Sequence, residues 1–97
     1  MIQIPNQIQF NLPVSLIQED EQIVAYTPAL DISTSGKDEA EARERFGELV
    51  NMFFKDLVEN GTLEEVLLDL GWQKHEMKWN PPIISQGSVE VRVPAFA

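Results

Sequence analysis

The sequence predicts an α+β fold in which an antiparallel β-meander packs on one main helix, followed by a short second helix and one or more C-terminal strands. Before Gly36, apolar residues alternate with polar ones, as in strands with one buried face. After Gly36, apolar residues recur every three or four positions, as in a helix with one buried face. The 97 residues have the length of one domain, with a core at about 8–72 and a strand-like tail at 73–97.

Three strands are predicted before the helix. The first covers residues 8–16, and Pro13, which has no amide proton, places it at a sheet edge or introduces a bulge. The polar residues 19–22 form a loop of about four residues that leads into a second strand at 23–27. A third strand at 30–36 completes the meander and ends at Gly36.

The main helix is predicted from Asp38 to Asn60. Asp38 is a good N-cap, and Glu41 three residues later completes a capping box. Gly61 provides the stop, because glycine adopts the left-handed conformation at little cost. The predicted buried stripe consists of Ala42, Phe46, Leu49, Val50, Phe53, Leu57 and Val58.

A second, shorter helix is predicted at residues 63–70. Thr62 and Glu65 form a second capping box, and Gly71 ends the helix. Trp72 directly follows this stop, where an apolar residue commonly folds back onto the last turn. We expect Trp72 to pack in the core rather than to form a ligand platform.

The last segment, residues 88–94, has valine at every second position from Val89 to Val93. This alternation predicts a strand that closes the sheet edge or pairs with a second chain. An unpaired edge of this kind favours association, so we expect a homodimer or a higher homo-oligomer.

The chain is acidic, with 16 acidic residues against seven basic ones and a net charge of −9. Residues 37–69 alone hold ten acidic residues and four basic ones. An acidic surface repels phosphate backbones, which argues against direct nucleic-acid binding and favours a basic protein partner. The alternative is that the acidic residues only keep the domain soluble.

No catalytic residue, metal site or cofactor is predicted. The chain has no cysteine, which excludes disulfides, thiolate ligands and a cysteine nucleophile and is typical of a reducing cytoplasm. The single histidine, His75, lies in a charged stretch and is expected to be a solvated surface residue. The sequence shows neither a signal-peptide pattern nor an apolar run long enough to span a membrane, so we expect a cytoplasmic protein. It contains no phosphate-binding, zinc-protease or serine-hydrolase motif, so we expect that it is not an enzyme.

Four features follow one another in the middle of the chain: residues 24–30 (VAYTPAL), a small polar strand, Gly36 and residues 38–42 (DEAEA). In their order and spacing they resemble the N-terminal domain of the HicB family of type II antitoxins. Residues 68–72 (LDLGW) also resemble a leucine-rich segment of some members. The chain lacks the glycine that the family has in its first turn. It also has a proline-interrupted tail where typical members carry a DNA-binding module.

This resemblance implies a β-β-β-α core similar to a degraded ribonuclease H fold, homo-oligomers, and neutralisation of a small basic toxin that cleaves mRNA. Charge complementarity places the expected partner contacts on the exposed face of the main helix and on the first turn. The candidate partner-binding residues are Glu19, Asp20, Glu21, Glu44, Glu48 and Asp56. The alternative function is a stand-alone structural or oligomeric domain of the same fold without a toxin partner.

Overall fold

A three-stranded antiparallel sheet and a long helix form the framework of the protein. The computed structural model describes residues 11–76 and 78–95. Its elements are β1 (Ser15–Glu19), β2 (Gln22–Thr27), β3 (Ile32–Gly36), α1 (Glu39–Asn60), α2 (Leu63–Asp69), β4 (Gln73–His75) and β5 (Lys78–Asn80). β1, β2 and β3 form one sheet in that order, and β4 and β5 form a separate hairpin. The predicted α+β fold is confirmed.

The predicted bounds of the first strand, residues 8–16, are wrong. Residues 8–10 lie outside the described residues, and the described strand begins only at Ser15, after Pro13. Proline cannot donate to a strand ladder, so pairing starts beyond it. β1 then continues until Glu19 pairs with Gln22, which leaves a turn of two residues instead of the predicted four. Among the described strands, β1 does lie at a sheet edge, as Pro13 predicted.

The third strand begins at Ile32 and not at the predicted position 30. Ala29 and Leu30 are buried in the turn between β2 and β3 and belong to the core. The Ala29 amide donates a hydrogen bond of 3.2 Å to Thr27 Oγ1, and Asp31 has a φ of 54°. The apolar alternation that placed Leu30 in the third strand therefore reflects its burial in the turn and not a position in the strand.

The predicted start and end of α1 are confirmed. The Asp38 carboxylate accepts a hydrogen bond of 2.8 Å from the Glu41 amide, and the Glu41 carboxylate accepts one of 3.1 Å from the Lys37 amide. Gly61 ends the helix with a φ of 69°. These local bonds satisfy backbone groups that a helix leaves free at its ends.

One side of α1 faces the sheet, as the stripe predicted. Ala42, Phe46 and Leu57 are buried, and the remaining stripe residues up to Phe53 are half-buried. Val58 is 62% exposed, so its assignment to the buried stripe is wrong. It follows Leu57 by about 100° around the helix, which turns it away from the core.

The second helix runs from Leu63 to Asp69, but its predicted capping box is wrong. The Thr62 side chain makes no capping hydrogen bond. The Thr62 amide donates to the Leu57 carbonyl at 3.0 Å, so this residue completes the end of α1. The predicted stop at Gly71 is confirmed by its φ of 91°, and the predicted core position of Trp72 by an exposure of 1%.

The predicted strand at residues 88–94 is wrong for the isolated chain. Residues 81–95 contain no regular secondary structure, and Val89, Val91 and Val93 are 84%, 79% and 76% exposed. A strand exists only where a neighbour pairs with its N–H and C=O groups, and this segment has no such neighbour among the described residues. Within the described residues, the segment therefore has a strand-like sequence but no strand partner.

Candidate protein-binding surfaces

The first acidic surface is the turn between β1 and β2. Glu19 is the last residue of β1, Asp20 and Glu21 form the turn, and all three side chains are exposed. Because Ile23 pairs with Gly36, this turn lies at the end of the sheet where β3 leads into α1. The turn and the N-terminus of α1 therefore share one end of the molecule.

The second acidic surface is the outer side of α1, where Glu44 and Glu48 are exposed. They are one helical turn apart and project from the same side of the helix. Both arginines of α1 are paired, Arg43 with Glu39 at 3.0 Å and Arg45 with Glu41 at 3.4 Å. Within the described part of the chain, Glu44 and Glu48 form no ion pair, so their charges face solvent.

The structure separates Asp56 from this pair. Asp56 is exposed, but it lies about 18 Å along the helix axis from Glu44 and about a third of a turn around it. Glu44 lies only about 9 Å beyond the Asp38 cap, towards the end that holds the acidic turn. The predicted residues therefore divide into a group at the start of α1 and an isolated Asp56.

His75 is exposed at the end of β4, opposite Lys78 in β5. Together with Gln73 and Asn80 it lines an open groove of about 550 Å³. No side chain in residues 11–76 and 78–95 hydrogen-bonds to its imidazole, so nothing described orients it as a general base. The same residues contain no group of three or more His, Asp and Glu that could hold a metal ion.

Sequence reasoning missed one surface, the face of the sheet opposite α1. Ile17 and Val24 are cross-strand partners, while the neighbouring pair, Leu16 and Ala25, lies on the α1 side. Ile17 is 45% exposed, so the pair forms an apolar patch that is open to solvent. The alternation of residues within β1 indicates which side chains lie on this face. It could be assigned to a face only once the bounds of the strand were known.

Tyr26 lies on the same open face, and its hydroxyl donates a hydrogen bond of 3.1 Å to Asp31 Oδ1. This bond raises the pKa of Tyr26 above its ordinary value, because ionisation would break the bond and place a phenolate beside a carboxylate. Asp31→Asn should therefore lower the pKa of Tyr26 towards about 10. The chain has one tyrosine, so the absorbance of tyrosinate during an alkaline titration measures this pKa directly.

The direction of the shift also determines how the pair affects stability. A pKa that is higher in the folded state stabilises the fold below the unfolded pKa, and this contribution is lost as pH rises through the folded value.

The control for the titration is Asp20→Asn, because it removes an exposed carboxylate that does not bond to the phenol. If the midpoint of the tyrosinate titration is the same in Asp31→Asn as in the wild type, the hydrogen bond to Asp31 does not raise the pKa of Tyr26.

None of the helices within the described ranges combines the length and apolar character that crossing a membrane requires. Comparisons of the chain with protein-family models, curated proteins and solved structures give no match. Its binding properties are therefore inferred from its own surfaces.

Proposed function

We propose that this protein is a non-enzymatic cytoplasmic binding module, similar in role to a HicB antitoxin, that neutralises a small basic mRNA-cleaving toxin. The observation that carries the proposal is the outer side of α1, where the carboxylates of Glu44 and Glu48 are exposed and the arginines of the helix are paired elsewhere. Carboxylates left without a cation are available to a cationic partner.

Electrostatics explains how such a surface would act on its partner. A protein that cleaves RNA needs a basic surface to hold the phosphate backbone. Carboxylates attract the same surface, so binding of this module would exclude RNA from the toxin. With a net charge of −9, the chain also attracts a basic protein from a distance, which raises the association rate at low salt. The acidic turn adds three carboxylates near the start of α1.

The double variant Glu44→Gln, Glu48→Gln should slow association with the basic protein by about 3- to 10-fold, while changing the dissociation rate less than about twofold. Exposed charges act mainly before contact, so the difference should shrink as salt increases. Surface plasmon resonance at low and high salt measures both rates. The basic protein to test is the product of the adjacent reading frame, once co-expression, pull-down and rescue of growth identify it as the partner.

The matched control is Glu64→Gln, Glu65→Gln, which removes the same charge from two exposed residues of α2. An equal decrease in both double variants would mean that only net charge matters and that the outer side of α1 is not the contact. Asp56→Asn, farther along α1, should have a smaller effect than the Glu44 and Glu48 double variant.

The exposed valines at 89, 91 and 93 favour a second candidate function, a self-associating domain without a toxin partner. Isolated apolar side chains are common on protein surfaces, but three at alternate positions of one segment are typical of an unpaired strand. If the neighbouring basic protein does not bind this chain, or if it stays toxic when the two are co-expressed, the antitoxin role is refuted. Self-association is then the better interpretation.

A further inference from the structure

We propose that residues 88–93 of one copy add as an antiparallel strand to the edge of β1 in a second copy, and that the exchange is reciprocal. The inference rests on the second candidate function, self-association, and identifies the segment and the edge that form the interface. An interface of this kind uses the same two surfaces on both copies and closes as a two-fold dimer.

The segment that is donated leaves the core after Ile84. Ile84 is half-buried against the core, whereas every residue from 85 to 95 is exposed. Within this stretch the valines alternate with Glu90 and Arg92, which pair with each other at 3.6 Å. The segment therefore has one apolar side and one charged side, and the apolar side is uncovered in a single copy.

The sheet has two edges, and α1 packs chiefly on the β3 side. Arg45 Nη1 of the helix donates a hydrogen bond of 3.1 Å to the Ser35 carbonyl of β3. β1 lies at the other edge, away from the helix, and no strand in residues 11–76 and 78–95 lies beside its outer side. Within the described residues, the edge of β1 is therefore the one open to another strand.

The core next to β1 is also incompletely covered. Val14 and Leu16 pack against the cluster of Ala25, Ala42 and Phe46, but both are only half-buried. α1 packs mainly on β3 and β2, so it covers this flank of the core only in part. A strand added beside β1 with its valines on the helix side would cover both residues, which supplies the apolar burial that stabilises the exchange.

The prolines of the chain favour one register. Placing Val91 opposite Leu16 brings Val93 opposite Val14 and Pro94 opposite Pro13. Both prolines then lie at the same end of the new ladder and just outside it, where neither has to donate a hydrogen bond. In this register Arg92 lies opposite Ser15, with its charged side chain on the open face of the sheet.

Light scattering on the full chain at micromolar concentration should give a mass of about 22 kDa, twice the 11.0 kDa of one copy. Val91→Lys should give the single-copy mass, because it places a charge on the buried side of the new strand. Val91 is 79% exposed in one copy, so this variant should fold normally. The control is Val58→Lys, which changes a 62% exposed valine on α1 and should remain dimeric.

A cross-link tests the register in a chain that has no cysteine of its own. Ser15→Cys and Arg92→Cys variants, mixed and oxidised with glutathione disulfide, should form a covalent dimer on a non-reducing gel. The mixture of Ser15→Cys with Ser85→Cys is the control, because the register keeps these two positions apart.

A monomeric wild-type chain would overturn both self-association and the strand addition. A dimer that persists in Val91→Lys and does not cross-link would overturn the strand addition while leaving self-association in place. In a chain that carries both Ser15→Cys and Arg92→Cys, a cross-link at monomeric mass would show that the segment binds its own β1 and would overturn the exchange between copies.

Discussion

Replacing Trp72 with alanine should lower the free energy of unfolding by about 3 to 5 kcal/mol, the range for removing a large buried aromatic side chain. Trp72 is 1% exposed and packs edge-on against Phe54, with ring centroids 6.0 Å apart. Its indole Nε1 donates a hydrogen bond of 2.8 Å to the Ala29 carbonyl. The substitution would leave both a cavity and a buried carbonyl that loses this partner.

Chemical denaturation measures this loss. Trp72→Phe should lose less than Trp72→Ala, because the ring still fills much of the space while the hydrogen bond is gone. Ile83→Ala is the control, because Ile83 is 97% exposed and its truncation should change stability by less than about 0.5 kcal/mol. Similar losses in Trp72→Ala and Ile83→Ala would contradict the assignment of Trp72 to the core.

Gly36→Ala should destabilise the fold by about 1 to 3 kcal/mol or more, because the added methyl group overlaps backbone atoms of α1. A Cβ at Gly36 would lie 2.5 Å from the Ala42 nitrogen and 2.9 Å from the Glu41 carbonyl carbon. Neither atom can move without shifting the first turn of the helix. Glycine is needed here because β3 and α1 approach closely, and thermal or chemical denaturation measures the cost of filling that space.

Gly47→Ala is the matched control in the same chain. Gly47 lies in the interior of α1, and a Cβ there would meet no atom within 4 Å. Alanine is the better helix former by about 0.8 to 1 kcal/mol, so this variant should be more stable than the wild type. If the two glycine substitutions changed stability in the same direction, the close approach at Gly36 would be refuted.

The helix ends and the core tryptophan are encoded by short stretches of sequence. Asp38 and Glu41 cap α1 through bonds between neighbours in the chain, and Gly61 and Gly71 end their helices with a backbone conformation that glycine adopts readily. Trp72 follows directly after such a stop, which places it on the core. These features depend on local geometry, so residue type and spacing were sufficient to predict them.

The errors fall where two local preferences compete. Thr62 is the N-cap of α2, where its carbonyl accepts from the Val66 amide, but its side chain makes no capping bond and its amide completes the end of α1. Leu30 alternates like a strand residue, yet its burial in the turn delays β3 until Ile32. Phe53, predicted on the core stripe, does pack against the core, although it is half-buried. Which side chains fill the core depends on contacts between distant residues, which the sequence pattern does not contain.

The same distinction applies to the surfaces. The four-residue spacing of Glu44 and Glu48 determined that they share one side of a helix. Only the pairing of Ile23 with Gly36 decided that the acidic turn lies at the same end of the molecule. The alternation of Val89 to Val93 determined a strand-like segment, but the tertiary structure decided that no strand of the described residues pairs with it. A strand requires a second backbone beside it, and that is a property of the fold or the assembly and not of the segment itself.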